Sequence, residues 1–127
     1  MQQIAVGQIG EATQTVTEAL TAQSMGSGSL PVFATPALIA LMESAATVAL
    51  KSSLPPDQTS VGISVNIRHL AATALAKTAR ARAEITAVEG RQIIFSVQAW
   101  DETQLIGEGT HIRVIVEIER FLRRVNS

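Results

Sequence analysis

The sequence predicts an α+β fold in which an antiparallel sheet of about five strands curls around one long apolar helix. Three observations carry that expectation. Pro36–Leu50 (PALIALMESAATVAL) is an apolar run of helical length with a single ionisable residue, Glu43. From Val61 onward the pattern changes to an alternation of period two, the signature of strands. A helix that is apolar nearly all round cannot rest on a flat sheet with its other side in water, so the sheet must curl around it or a second subunit must cover it.

The elements follow in order. Glu11–Thr21 alternates weakly and reads as a first strand despite its many Thr and Gln residues. Ser24–Ser29 (SMGSGS) is a flexible connection or a lid before the helix. Thr35 offers an N-cap hydroxyl and Pro36 suits the first helical position, so the helix should start there and run about fifteen residues, ~22 Å. Lys51 and the breaker SSLPPDQ end it. Val61, Ile63, Val65 and Ile67 then share one strand face, and continuing the alternation places His69 on that apolar, core-facing side. Ala81, Ala83, Ile85 and Ala87 alternate with Arg80, Arg82, Glu84 and Thr86, and Glu89-Gly90 makes a tight turn into Gln92–Trp100. After a turn near Asp101–Thr103, a last strand carries Ile106, Ile112, Val114, Val116 and Ile118 on one face and His111 and Arg113 on the other. Gly107 and Gly109 could host a bulge that alters this register. A strand, one long apolar helix and four antiparallel strands make a hot-dog fold, a class whose members usually pair into dimers with sites at the interface.

Composition narrows the function. A chain of 127 residues, 46% hydrophobic, fits a single domain over 1–127 with a sizeable core. Net charge of −1 gives no electrostatic footprint for nucleic acid or an anionic membrane surface, so neither partner is expected. No Cys and only two His, His69 and His111, cannot close a protein zinc site, and neither metal nor cofactor is expected. MQQIAVGQIG lacks the basic and long apolar segments of a signal peptide, which makes a cytoplasmic location the expectation. Leu30–Leu50 is long enough to span a bilayer, but Pro31 and Pro36 interrupt it and Glu43 would cost about 2.5–3.5 kcal/mol at the bilayer centre.

Glu43 is the only ionisable residue between Glu18 and Lys51. Leaving a carboxylate charged and alone in a dry interior is prohibitive, so it must shift its pKa, find partners or face a wet pocket. Each outcome makes it a candidate for acid, base or nucleophile chemistry. His69, facing the same helix, is its candidate partner. The hydroxyl of Thr35 is accounted for by capping alone, His111 reads as structural or solvated, and Arg113 suits either a surface charge or a substrate phosphate or carboxylate.

Five segments in order, Val32-Phe33-Ala34-Thr35, Leu41-Met42-Glu43, His69 with Ala71-Ala72-Thr73, Val88-Glu89-Gly90-Arg91 and Gly107-Glu108-Gly109-Thr110-His111, resemble the fluoroacetyl-CoA thioesterase group of hot-dog proteins over roughly Pro31 to Val125. The resemblance implies a thioester hydrolase. In that family a Thr, a Glu eight residues on and a His twenty-six further form the catalytic set, and Thr35, Glu43 and His69 reproduce both spacings. It also implies Phe33, Gly62 and Arg113 as substrate-site residues. The family's defining member has aromatic lid residues just before Val-Phe-Ala, whereas Gly26–Leu30 has none, so the expectation is an acyl-CoA or acyl-carrier thioesterase for small or medium acyl groups. A hot-dog dehydratase or hydratase is the alternative, but its Asn-Pro-x-His or His-Phe-Pro signature is missing; a non-catalytic acyl-binding domain is another.

In this scheme Glu43 is nucleophile or general base, His69 shuttles the proton or orients water, and Thr35 with the first helical amides polarises the carbonyl. Helix geometry sets a condition. Thr35 and Glu43 lie about 12 Å apart along a straight helix and cannot touch one thioester carbon. Either the helix begins irregularly or the site combines groups from two chains of a homodimer, or possible tetramer, and the second is favoured.

Overall fold

The computed structural model describes residues 3–127. Five antiparallel strands, β1 (Ile9–Thr15), β2 (Gln58–His69), β3 (Thr78–Glu89), β4 (Gln92–Trp100) and β5 (Leu105–Glu117), form one sheet in the order β1-β3-β4-β5-β2. Three helices complete the fold: α1 (Ala22–Met25), α2 (Thr35–Leu50) and α3 (Ile118–Val125). The curled sheet holds α2 against its inner face, chiefly over β1 and β3.

Small side chains set this close packing. Ala37, Ala45, Ala46 and Ala49 of α2 are buried, as are Ala79, Ala81 and Ala83 of β3, while Phe95 and Ile93 of β4 and Leu38 and Met42 of α2 fill the remaining volume. Gly10 of β1 is required where strand and helix meet, because a Cβ there would overlap the Ala45 carbonyl and the Ala49 amide. The opposite side of α2 stays uncovered within one chain, and Val48 is 48% exposed. No helix among the described residues is long and apolar enough to cross a membrane.

Several boundaries differ from the sequence expectation. The first strand is Ile9–Thr15 instead of Glu11–Thr21, because the chain leaves the sheet at buried Val16 and turns through a 3-10 segment, Glu18–Leu20, into α1. Part of the Ser24–Ser29 loop is helical: Thr21 caps α1 by accepting from the Ser24 amide, and Gly26 ends it in the left-handed conformation. The long helix is capped by Ala34, with Thr35 already inside it and no side-chain cap bond, so the Thr35 hydroxyl is free for other work. Beyond Glu117 the chain becomes α3, where a continuing strand through Ile118 was expected. The missed signal is the helical spacing of Ile118, Phe121, Leu122 and Val125.

The strand faces matter most for the site. A register shift between Gly62 and Ser64 splits β2. After it, Val65, Ile67 and His69 pair with His111, Gly109 and Gly107 and face inward as expected; before it, Ser60 and Gly62 take the inner side and Val61 turns outward. On β5 the expected order is inverted, since His111 and Arg113 are buried beneath the helix. The outer edge of β2 has no strand partner, and Ile63 and Val65 are 51% and 41% exposed along it.

Candidate active site

Two polar clusters lie on the inner face of the sheet. The first is at the start of α2. Thr35 Oγ1 sits 2.7 Å from His69 Nδ1, joining the helix start to the end of β2. The other ring nitrogen, Nε2, is buried and has no hydrogen-bond partner among the described residues. Burial holds the His69 imidazole below its ordinary value of 6.5, with the Ala71 backbone pulling the other way. Buried Phe33 joins Thr35, His69, Leu70, Ala71 and Ala72 around an adjoining cleft of about 370 Å³.

The contact between Thr35 and His69 permits two proton arrangements. A hydroxyl that donates to Nδ1 leaves Nε2 carrying the ring proton as a free donor. A ring that donates from Nδ1 leaves the Nε2 lone pair free as a base. Both leave the buried Nε2 without a hydrogen-bond partner among the described residues.

The second cluster surrounds Glu43, two turns along α2. Arg113 Nη1 donates to Glu43 Oε2 at 3.1 Å and lies 3.2 Å from His111 Nε2. Arg113 Nε donates to Ser60 Oγ at 2.8 Å, and Nη2 donates to the Ser60 carbonyl at 3.0 Å. The guanidinium is thereby locked on both sides. The tautomer of His111 follows from its neighbours: a carbonyl can only accept, so Nδ1, 2.8 Å from the Ser64 carbonyl, carries the proton and Nε2 accepts from Arg113. Burial lowers the His111 proton affinity and adjacent Arg113 lowers it further, against the Ser64 carbonyl and Glu43, so the ring is neutral in this arrangement. Phe95 stacks on it with centroids 6.1 Å apart.

Glu43 meets its electrostatic problem by pairing and by exposure, since 40% of its side chain remains accessible in a single chain. Arg113 holds one carboxylate oxygen, and no hydrogen bond among the described residues engages the other, Oε1. Space for the carboxylate depends on Gly62, whose Cβ, if present, would lie 2.5 Å from Oε2 and 3.1 Å from the His111 ring. A side chain at Gly62 would thus push the Glu43 carboxylate out of this position.

The six candidate residues therefore fall into two groups: Phe33, Thr35 and His69 at the cleft, and Glu43, Gly62 and Arg113 in the charged cluster. The expectation that His69 partners Glu43 is corrected, because His69 bonds Thr35 while Arg113 and His111 take Glu43. The reason is positional. His69 ends β2 beside the first turn of α2, whereas Gly62 is the β2 residue beneath Glu43. His111, expected to be structural or solvated on a polar face, is a buried member of the Glu43 network, and Ser60 was not anticipated at all. Only one signal could have found them, the polar pair His111-x-Arg113 on a strand that must cross the sole carboxylate of the helix.

Comparisons with known proteins agree with this architecture. Residues 16–119 match the family described as fluoroacetyl-CoA-specific thioesterase. The fluoroacetyl-CoA thioesterase of Streptantibioticus cattleyicolor is 38% identical over 96 residues, which span 76% of this chain and 69% of the relative. A solved structure of a fluoroacetyl-CoA thioesterase superposes with a TM-score of 0.91 at 31% identity, covering 98% of this chain and 97% of that one. A variant of that enzyme was solved with acetyl-CoA, at a TM-score of 0.91, 31% identity and 97% coverage of both chains. A hot-dog-like protein from Thermanaerovibrio acidaminovorans shares the fold with a TM-score of 0.86 at 24% identity, covering 96% of this chain and 90% of that one. With the fold shared, a family model matched over residues 16–119 and a relative 38% identical over most of the chain, the protein belongs to the fluoroacetyl-CoA-specific thioesterase family, a group of hot-dog thioester hydrolases.

Proposed function

We propose that the protein hydrolyses acyl-CoA thioesters of small or medium acyl groups at a site shared between two copies of the chain. The observation that carries this reading is the division of the site. Thr35 and His69 lie at one end of β2 and Glu43 with Gly62 lies further back, on a helix that is regular from Thr35. Two β2 edges paired antiparallel about a two-fold axis run in opposite directions, so the His69 end of one chain meets the Gly62 region of the other. The exposed Ile63 and Val65 are suited to that contact, and it brings each Glu43 towards the opposite Thr35–His69 pair.

In such a site the chemistry is simple. Glu43 Oε1 attacks the thioester carbonyl directly or draws a proton from an attacking water, while Arg113 keeps the carboxylate in place. Thr35 and the amides of the first helical turn stabilise the oxyanion. The carbon–sulfur bond then breaks and the thiolate leaves, taking a proton from the His69 ring; on the direct-attack route water then opens the acyl–Glu43 anhydride, releasing the acid and regenerating the carboxylate. The relative solved with acetyl-CoA supports coenzyme A as the carrier. The cleft beside Gly26–Leu30 has no aromatic cover, and Leu30 is 63% exposed, which supports an acyl range wider than fluoroacetyl.

Glu43→Gln should lower thiol release by roughly 10² or more, the scale of a lost nucleophile or general base. Unchanged release across acyl chain lengths that the wild type cleaves would overturn the assignment. Mixed dimers of Thr35→Ala and Glu43→Gln chains test sharing: one intact site per dimer restores up to half of the activity. Failure to regain any activity, when each change alone abolishes it, refutes the two-chain site. Trapping of an acyl–Glu43 anhydride with hydroxylamine during turnover separates the two roles of Glu43, because only a nucleophilic carboxylate forms it.

A further inference from the structure

The connection between β2 and β3 supports the Thr35–His69 contact from behind. It begins at Leu70, directly after His69, where the amide donates to the Ile106 carbonyl at 2.7 Å and ties the end of β2 to β5. Further along, the Thr73 carbonyl accepts from the Phe33 amide at 2.9 Å, and Val32 pairs with Ala74. The segments carrying Thr35 and His69 are therefore joined by side chains at those two residues and by backbone at Phe33 and Thr73.

Thr73 is 1% exposed, and a buried hydroxyl needs a partner. It donates to Asp101 Oδ2 at 3.0 Å. Asp101 follows β4 at the turn into β5, and its other oxygen serves that turn: Oδ1 accepts from the Thr103 amide at 2.9 Å, the Thr103 hydroxyl at 3.1 Å and the Gln104 amide at 3.0 Å. Asparagine or serine would serve such a turn with one oxygen. The second carboxylate oxygen has one donor among the described residues, the hydroxyl of Thr73, twenty-eight positions away. Burial favours the neutral acid at Asp101, but the bonds from Thr103, Thr73 and Gln104 outweigh it and hold the carboxyl below its ordinary value. Thr73 thus meets an ionised acceptor, and such a bond is stronger than one between neutral groups.

We propose that Thr73 and Asp101 are a positioning pair for the reaction: their hydrogen bond fixes the loop on which Phe33 and the start of α2 rest, and so sets the contact between Thr35 and His69. The catalytic consequence rests on the thioesterase reading. Both residues act through Thr35 and His69, and a shift of about 1 Å in such groups can cost up to about 10² in rate.

Thr73→Val keeps the volume and removes the donor, whereas Thr73→Ser keeps the donor. Thr73→Val should lower kcat about tenfold or more with KM within about twofold, and Thr73→Ser should hold kcat within about twofold of the wild type. Added to Thr35→Ala, Thr73→Val should cost no more than about twofold further, because the contact it serves is already gone. An unchanged kcat in Thr73→Val overturns the pair, as does a loss of the same size in both backgrounds.

His69 and His111 are the two histidines of the chain, which gives a readout independent of turnover. Burial holds the His69 ring below 6.5 against the Ala71 backbone, and no charged neighbour among the described residues contributes. In Thr73→Val the His69 titration, followed by NMR, should move up towards 6.5 while that of His111, in the other cluster, stays where it is. Both rings moving together would report general loosening and overturn the pair, as would neither moving. Should Thr73→Val fail to fold, Asp101→Ser, which keeps a turn oxygen but lacks the one that meets Thr73, must give the same background-dependent loss and the same selective movement of His69, or the pair is refuted. If the wild type hydrolyses no acyl-CoA, the thioesterase reading fails by itself, while selective movement of His69 still supports the clamp.

Discussion

At the scale of single residues, the placement of Thr35 decides how its substitution should be read. A capping hydroxyl replaced by alanine typically costs about 1 kcal/mol of stability. Here Ala34 is the cap and the Thr35 hydroxyl goes to His69, so Thr35→Ala should leave the melting temperature nearly unchanged while lowering kcat by roughly 10- to 100-fold. Thr35→Ser, which keeps the hydroxyl, should retain most activity. A drop in melting temperature with kcat preserved would return Thr35 to a purely structural role. Glu43 and Arg113 show how much a single position can reveal. One carboxylate in an apolar helix marked a candidate site in the sequence. The guanidinium that answers it comes from a residue seventy positions away, and nothing local to either residue marks that pairing.

At the scale of elements, the apolar helix, the hairpin and the order of strands were legible because each depends on local periodicity and turn chemistry. The β4 bounds agree, and the long helix differs by one residue at its start. The faces of β2 and β5 were not legible. A bulge after Gly62 reverses the inward side of β2, and His111 with Arg113 turns inward on β5 because only there can two polar groups meet a buried-facing carboxylate. The exposed edge of β2 carries the proposed pairing, and Ile63→Lys should separate the two chains there. Sedimentation should find a monomer with thiol release reduced at least tenfold, and a fully active dimer would exclude this edge as the interface.

At the scale of the whole molecule, the two histidines couple the fold to pH. His69 and His111 both bind protons less readily in the folded state than in an unfolded chain. The unfolded chain therefore holds more protons as pH falls, and the stability present above about 6.5 is lost progressively as pH drops through the lower folded values. Protonated His111 would also face the Arg113 guanidinium across 3.2 Å. Melting temperature should be flat from pH 8 to 7 and decline below about 6.5, by about 4 °C for each kcal/mol lost. His111→Phe should flatten part of that decline if it folds, and His69→Ala supplies an independent check. A melting temperature that rises or holds level towards pH 5.5 would contradict the shared direction of both shifts.

The sequence by itself determined the architecture and supplied the candidate residues. Hydrophobic periods of 3.6 and 2 act within a few residues, so the curled sheet and its central helix could be read from the chain, and five ordered segments from Val32 to His111 carried the resemblance to the family. The tertiary structure alone decided which groups meet. Side chains separated by tens of residues come together only through strand register, the Gly62 bulge and the close seat of α2 on Gly10. Those packing facts placed Thr35 with His69 and Glu43 with Arg113 and His111, because non-local contact depends on how the elements fit and leaves no periodic trace in the sequence.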